Sequence, residues 1–399
     1  MKRIFACLMA VGCLLLGGCS WLDESYVSIT PHQEQRQESQ VDMITASSYQ
    51  DLMAALEQMI AEGTEMAVIN VTDYPSDAVD SGMAVAVRHA MDTYPIGAYA
   101  VEEISYELGA TGGQPALAVT IAYRHSVAEI QRIRSVQNVV EAKDLIAQAL
   151  QSYEPNVVIL LEDFINKDFA QMVQDHAQEN PQFVMEVPQV TVNVYGSSQA
   201  KVLELTFTYQ NSRDSLRQMR NQVKPVFDSA SLYVSGEGAD RQKYAQLYAF
   251  LMERFDYTIE TSITPAYSLL RHGVGDSRAF AMVYAAMCRS AGLECSIITG
   301  THEGEPWTWN MVQDNGRYYH VDLLRSSGEG AFREFTDGEM SGYVWDYSAY
   351  PRSTAPYSPE QAETAPPVVE ETTEPGQTET APEGETQPET LPEEKFEFF

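Results

Sequence analysis

The chain is short of the residues on which several functional classes depend. Only five of its 399 residues are cysteine, and Cys7, Cys13 and Cys19 crowd the N-terminus, leaving Cys288 and Cys295 for the rest. That excludes a disulfide-rich scaffold and a zinc site built on several thiolates. A bridge between Cys288 and Cys295 and a pair of free, partly buried thiols fit the sequence equally well, because contact geometry decides between them. Basic residues are scarce too: 25 Lys and Arg stand against 57 Asp and Glu, a formal charge of -32. This argues against nucleic acid as a partner, since phosphate binding depends on Lys and Arg releasing counterions, and an anionic surface should repel the chain. The histidines His89, His125 and His176 are isolated, with no carboxylate or Cys at ligand spacing, so neither a metal site nor a cofactor is expected. The apolar run Ile4 to Gly18 is too short to span a bilayer.

What that run supports is an address. Met1-Lys2-Arg3 supplies positive charge ahead of it, and it ends Leu16-Gly17-Gly18-Cys19. The segment has the layout of a secretory signal peptide and resembles the bacterial lipobox. The resemblance implies cleavage before Cys19, a diacylglyceryl group on its sulfur, and attachment to the extracytoplasmic face of the cell membrane. Two acyl chains hold where one is marginal. An ordinary signal peptide cut at another small residue is the alternative. Residues 20–45 follow as a flexible tether rich in Gln, Glu and Ser.

Residues 46–139 and 140–226 have the pattern of two copies of one α/β unit. In the first, helices are predicted over Gln50 to Glu62 and Ser76 to Thr93, strands over Met66 to Val71, Tyr99 to Leu108 and Ala116 to Tyr123, and a closing helix over Val127 to Val136. The glycine-rich run Gly109 to Gly113 supplies a hairpin turn. The order recurs from Ala142 onward. Thr120-Ile121-Ala122-Tyr123-Arg124-His125-Ser126 echoes Thr206-Phe207-Thr208-Tyr209-Gln210-Asn211-Ser212. Asp73 and Asp163 also correspond, and are expected to cap the second helix of each copy. No chemistry is legible in this half.

From about Phe227 the pattern changes. Asp240 to Phe255 is an amphipathic helix, and three motifs follow in order: Gly273-Val274-Gly275-Asp276-Ser277-Arg278-Ala279-Phe280-Ala281, Pro306-Trp307-Thr308-Trp309-Asn310 and Tyr318-Tyr319-His320-Val321-Asp322. Together they resemble the core of the transglutaminase-like superfamily, in which a helix start, a His-Ala-Trp-Asn strand and a Tyr-x-Val-Asp strand bring Cys, His and Asp together. The resemblance covers roughly Phe227 to Pro351. It implies an antiparallel sheet packed on the helix that carries the nucleophile, and it lays Cys on Ser277, His on Trp307 and Asp on Asp322.

Two of those three positions have changed chemistry. A Cys at a helix N-terminus is activated by unpaired N–H groups and a neighbouring imidazolium, whereas a Ser hydroxyl needs a base within reach. Trp307 can donate a hydrogen bond but takes no proton at neutral pH. Loss of a general base alone typically costs about 10²–10⁴ in rate. A replacement triad of Ser277, His320 and Asp322 can be written, because His320 and Asp322 should share a strand face. His302 and His272 are further candidates. The aromatics Trp307, Trp309 and Tyr319 offer stacking surfaces for a sugar ring or a peptide.

The expected fold class is α+β: residues 1–19 a signal peptide, 20–45 a tether, two α/β repeats, a transglutaminase-like domain over 227–353, and an acidic Pro/Thr/Glu tail over 354–399 too polar to bury a core. The expected function is binding or scaffolding at the cell surface by a degenerate domain, its partner a cell-wall peptide, a glycan or a surface protein. The alternative is a Ser277-dependent hydrolase or acyltransferase acting on surface peptides.

Overall fold

Ser48 and Asn138 begin the same helix twice. Ser48 Oγ accepts from Asp51 N while Asp51 Oδ2 accepts from Ser48 N at 2.9 Å, a reciprocal cap that opens α1 (Tyr49–Glu62). Asn138 accepts from Val140 N and Glu141 N to open the matching helix of the second copy. Gly63 ends the first helix with φ +70°, and Tyr153 ends the second in the same left-handed conformation at +53°. The computed structural model describes residues 44–236 and 238–356. The signal segment with Cys19, the tether before residue 44 and the tail from residue 357 lie outside the described residues.

Two compact units divide the chain, one of Met1–Pro225 with Thr261–His272, the other of Val226–Glu260 with Gly273–Phe399. Residues 261–272 thus group with the first unit, inside the span expected to be one domain over 227–353.

In the first unit, β1 (Ile44–Thr45) lies parallel to β2 (Met66–Asn70), which pairs antiparallel with β4 (Gln114–Tyr123), and β4 with β3 (Val101–Thr111). Between β2 and β3 run α2 (Val79–Arg88), continued as a π-helical turn to Thr93, and α3 (Pro95–Ala100). Gly112 and Gly113 make the β3–β4 turn with φ of +60° and +84°, the backbone a two-residue hairpin requires. The second copy repeats the order with β5 (Arg134–Val136), α4 (Val139–Ser152), β6 (Asn156–Leu161), α5 (Phe169–Glu179), β7 (Gln189–Tyr195), β8 (Lys201–Thr208) and α6 (Arg213–Asp228). Its sheet order, β5-β6-β8-β7, is the same. Register is repeated as well: Ile44 opposite Ile69 becomes Arg134 opposite Ile159, and Ile69 opposite Leu117 becomes Ile159 opposite Leu203.

The closing helix expected over Val127 to Val136 is a single turn, Val127–Ile130, after which the chain enters β5 and the second sheet. A three-residue edge strand carries too little periodicity to be seen in the sequence. The capping expectation also fails: Ala78 precedes α2 without a side-chain cap, Asp168 caps α5, and Asp163 instead accepts from Gln137. Each copy has its own core, where Leu52, Leu56 and Ile60 meet Leu117, Val119 and Ile121, and Ile146, Leu150 and Val173 meet Leu203, Leu205 and Phe207. The period-two alternation of β4 and β8 places those residues on the helix side.

In the second unit, α7 (Asp240–Met252) precedes β9 (Asp256–Tyr257), which pairs parallel with β10 (Val274–Gly275). Helix α8 (Ser277–Ser290) follows and is buried along nearly its whole length. It packs on an antiparallel sheet of order β13-β12-β11-β14, formed by β11 (Cys295–His302), β12 (Glu305–Asp314), β13 (Arg317–Val321) and β14 (Tyr343–Val344). Asn310 ties the two layers, donating to Ala281 O at 2.9 Å. Gly300 admits β14 at close range: a Cβ there would meet Val344 O at 2.2 Å. Cys288 and Cys295 are free and buried, and burial pushes the Cys288 thiol up.

Candidate functional site

The site gathers at one end of β12. Asp276 caps α8, its Oδ1 accepting from Ala279 N at 2.8 Å, so Ser277 is the first helical residue, where backbone N–H groups are left without intrahelical acceptors. Ser277 is 8% exposed, and its Oγ accepts from Thr308 N at 3.3 Å. That bond fixes the helix start against β12 beside Trp307.

Trp307 and Asp322 meet directly. The indole Nε1 donates to Asp322 Oδ2 at 2.7 Å, the Tyr343 hydroxyl donates to the same oxygen at 2.7 Å, and Oδ1 accepts from Leu324 N and Arg325 N at 3.0 and 3.1 Å. The last two bonds are the N-cap of α9 (Leu323–Gly328). A carboxylate has about four lone-pair positions, and here four donors occupy them. Burial, and then the Asp322 carboxylate, push the Tyr343 hydroxyl far up, so it remains a donor. The arrangement holds a buried carboxylate firmly and leaves it no lone pair with which to take a proton from Ser277. Trp307 donates to the carboxylate, and its indole has no ring nitrogen that could accept a proton from Ser277.

Rings surround the dyad. His302, at the end of β11, stacks on Tyr343 with centroids 4.1 Å apart and meets Trp307 edge-on at 5.6 Å. Tyr257, 44% exposed, lies 5.9 Å from Trp307 on β9. Its hydroxyl is raised by burial and by the carboxylates of Asp276 and Asp322. Tyr257 carries no signal in the sequence that marks it as a site residue; Tyr343 stands in the aromatic segment Tyr343 to Tyr350, which offers stacking surface, but its bond to Asp322 is not visible there.

His320 is not at this site. Its Nδ1 accepts from Trp309 Nε1 at 3.0 Å and its Nε2 lies 3.0 Å from Asp337 Oδ1, so both ring nitrogens are engaged away from Ser277. Burial holds the ring below the usual imidazole value against the opposing pull of Asp337, which suits the neutral form that accepts from Trp309. The shared-face expectation fails because β13 ends at Val321 and Asp322 already begins the cap of α9, where strand alternation no longer applies. The Ser277–His320–Asp322 triad is therefore not formed. Trp309 and Tyr319, at 1% and 3% exposure, are core residues and offer no stacking face to a ligand. Of the three expected binding aromatics, Trp307 alone is half-buried at the surface. Among the described residues no three His, Cys, Asp or Glu side chains are grouped to hold a metal ion, and no helix is long and apolar enough to cross a membrane.

Residues 229–323 match the family model described as the transglutaminase-like superfamily, a span that includes Ser277, Trp307 and Asp322. Residues 229–323 thus carry a transglutaminase-like domain, most of it in the second unit. No curated protein matches the chain. Similar solved structures include a TGase at 9% identity, covering 56% of this chain and 68% of that one with a TM-score of 0.25. A cysteine-protease candidate from Cytophaga hutchinsonii is 11% identical over 39% of this chain and 70% of that one, with a TM-score of 0.24. A protease candidate from Parabacteroides distasonis is 9% identical over 52% and 45%, with a TM-score of 0.21.

Proposed function

We propose that this is a lipid-anchored extracytoplasmic protein whose transglutaminase-like domain binds a surface peptide or glycan without transferring an acyl group. The observation that carries the reading is the Trp307–Asp322 bond. The indole keeps the carboxylate in place as an imidazole would, while removing the base the reaction requires. Ser277 keeps the position at the helix start but has no thiol, and among the described residues its Oγ accepts from Thr308 N and has no partner able to take its proton. The exposed ring of Tyr257 and the half-buried ring of Trp307 supply the contact surface. Anchoring rests on Met1-Lys2-Arg3, the apolar run and Leu16-Gly17-Gly18-Cys19.

Restoring the missing groups tests the placement. The double variant Ser277→Cys, Trp307→His should gain a thiol that iodoacetamide alkylates with a pKa below the ordinary value of about 8.5. An unreactive double variant with native circular dichroism would sink the assignment. Binding is read by titrating soluble cell-wall peptide and glycan fragments against tryptophan fluorescence. The signal should be lost in Trp307→Ala, and ammonia release from a glutamine peptide by the natural chain would overturn the non-catalytic reading. Palmitate labelling that survives Cys19→Ala would remove the anchor.

A further inference from the structure

A cleft of about 690 Å³ opens in the first unit, where the end of the first copy meets the sheet of the second. Its size falls within the range of small-ligand sites. Val158 of β6 and Glu204 of β8, opposite each other in register, line the cleft together with Leu145, Gln148 and Ser152 of α4. The wall is a stacked pair from the first copy, Tyr99 on His125, with centroids 4.1 Å apart and planes at 8°. Arg132, exposed, stands at the rim.

Glu204 is the residue that needs explaining. Its Oε2 accepts from the Tyr195 hydroxyl at 2.9 Å and from Asn193 at 3.1 Å, while Oε1 takes no hydrogen bond among the described residues. Neither neighbour is a cation. The repeat itself does not call for a carboxylate, since the equivalent position in the first copy, pairing with Val68 as Glu204 pairs with Val158, is Ala118. The Tyr99 hydroxyl also has no protein acceptor among the described residues; burial, then Glu204 and Glu129, push it up to about 12, so it is a neutral donor at the same spot. A cleft with a carboxylate oxygen that takes no hydrogen bond among the described residues, aromatic rings on its wall and a guanidinium at its rim is complementary to a molecule with an ammonium group, an apolar body and a carboxylate.

We infer that this cleft binds a short zwitterionic peptide, Glu204 taking the N-terminal ammonium, the His125–Tyr99 stack packing against a side chain and Arg132 meeting the C-terminal carboxylate. The site is independent of the transglutaminase-like domain. Isothermal titration of the full chain with the dipeptide Ala-Phe, its N-acetyl form, its C-terminal amide and chitotriose tests it. Ala-Phe should bind, and N-acetylation or Glu204→Gln should each weaken it about tenfold or more, as expected for loss of a charge-assisted hydrogen bond. Arg132→Ala, on the exposed rim where folding is not at stake, should weaken Ala-Phe but not the amide. No binding of Ala-Phe, equal binding of Ala-Phe and its N-acetyl form, or binding of chitotriose alone would each overturn the inference.

Discussion

Trp307 and Trp309 stand two residues apart near the start of β12, each with its indole N–H donating to a buried acceptor, yet their surroundings have opposite characters. At the cleft end the half-buried Trp307 donates to Asp322, in a shell completed by Tyr343 and two backbone N–H groups. At the core end Trp309 donates to His320, His320 reaches Asp337, and Trp345 packs against both rings. Arg352 Nε lies 2.7 Å from Asp337, and Ser353 N donates to it, so the chain beyond β14 closes over this end. The same residue type thus frames a buried carboxylate at the edge of the cleft in one place and anchors a core in the other. What separates them is burial, which determines whether water can replace a lost partner.

Truncation should expose the contrast most strongly. Trp309→Ala is expected to cost about 4 kcal/mol in urea unfolding, because it empties a closed site and leaves His320 Nδ1 without a donor. Trp307→Ala should cost about 1–2 kcal/mol, since its ring is already part-solvated. Equal losses would erase the distinction.

Titration comes next. Glu334 precedes Phe335, which bridges to His320, and has one oxygen 2.7 Å from Arg241 Nε and the other buried with no hydrogen-bond partner. Burial outweighs the guanidinium and pushes its carboxyl up to about 7. A folded pKa raised above the unfolded value favours the protonated acid, so this contribution is fully present below about 4.5 and is lost as pH rises through about 7. Glu334→Gln should therefore stabilise the protein at pH 8 by on the order of 2 kcal/mol and flatten the alkaline arm of a Tm profile. His320, lowered by burial, works in the other direction: its contribution is present above the ordinary imidazole value and declines as pH falls below it. A wild-type Tm that does not fall between pH 5 and pH 8, and matches Glu334→Gln throughout, would remove titration from the core end.

The smallest effect isolates the hydrogen bonds. Trp309→Phe leaves a buried ring nitrogen unpaired and should cost about 2 kcal/mol, whereas Trp307→Phe leaves Asp322 three donors and should cost about 1 kcal/mol or less. Chemical denaturation of the pair checks the order, and a reversed order would place the stronger bond at the cleft.

Much of the architecture was legible because it follows from short-range patterning. Leu117, Val119 and Ile121 alternate as a half-buried strand must, the Gly112-Gly113 turn has the two positive φ values its hairpin needs, and the Asp240–Met252 helix lies where its apolar spacing predicts. The strands β1, β5 and β14 were not legible, since two or three residues carry no period. At the site, Ser277 at the helix start and Asp322 after the last strand could be placed by motif. The role of Tyr343 could not, because it reaches Asp322 across 21 positions of chain through β14.

By itself the sequence determined which groups the three motifs carry, a hydroxyl at Ser277, an indole donor at Trp307 and a carboxylate at Asp322, since donor and acceptor capacity belongs to the residue type. It also determined the duplication, because a repeated pattern of apolar positions repeats a fold. Only the tertiary structure decided which histidine was available and which aromatics faced solvent. His320 is occupied because Trp309 and Asp337 converge on it from other elements, and Trp309 and Tyr319 are core because sheet and loop close over them. Burial and hydrogen-bond partnership belong to the packing of distant segments, which no local pattern encodes.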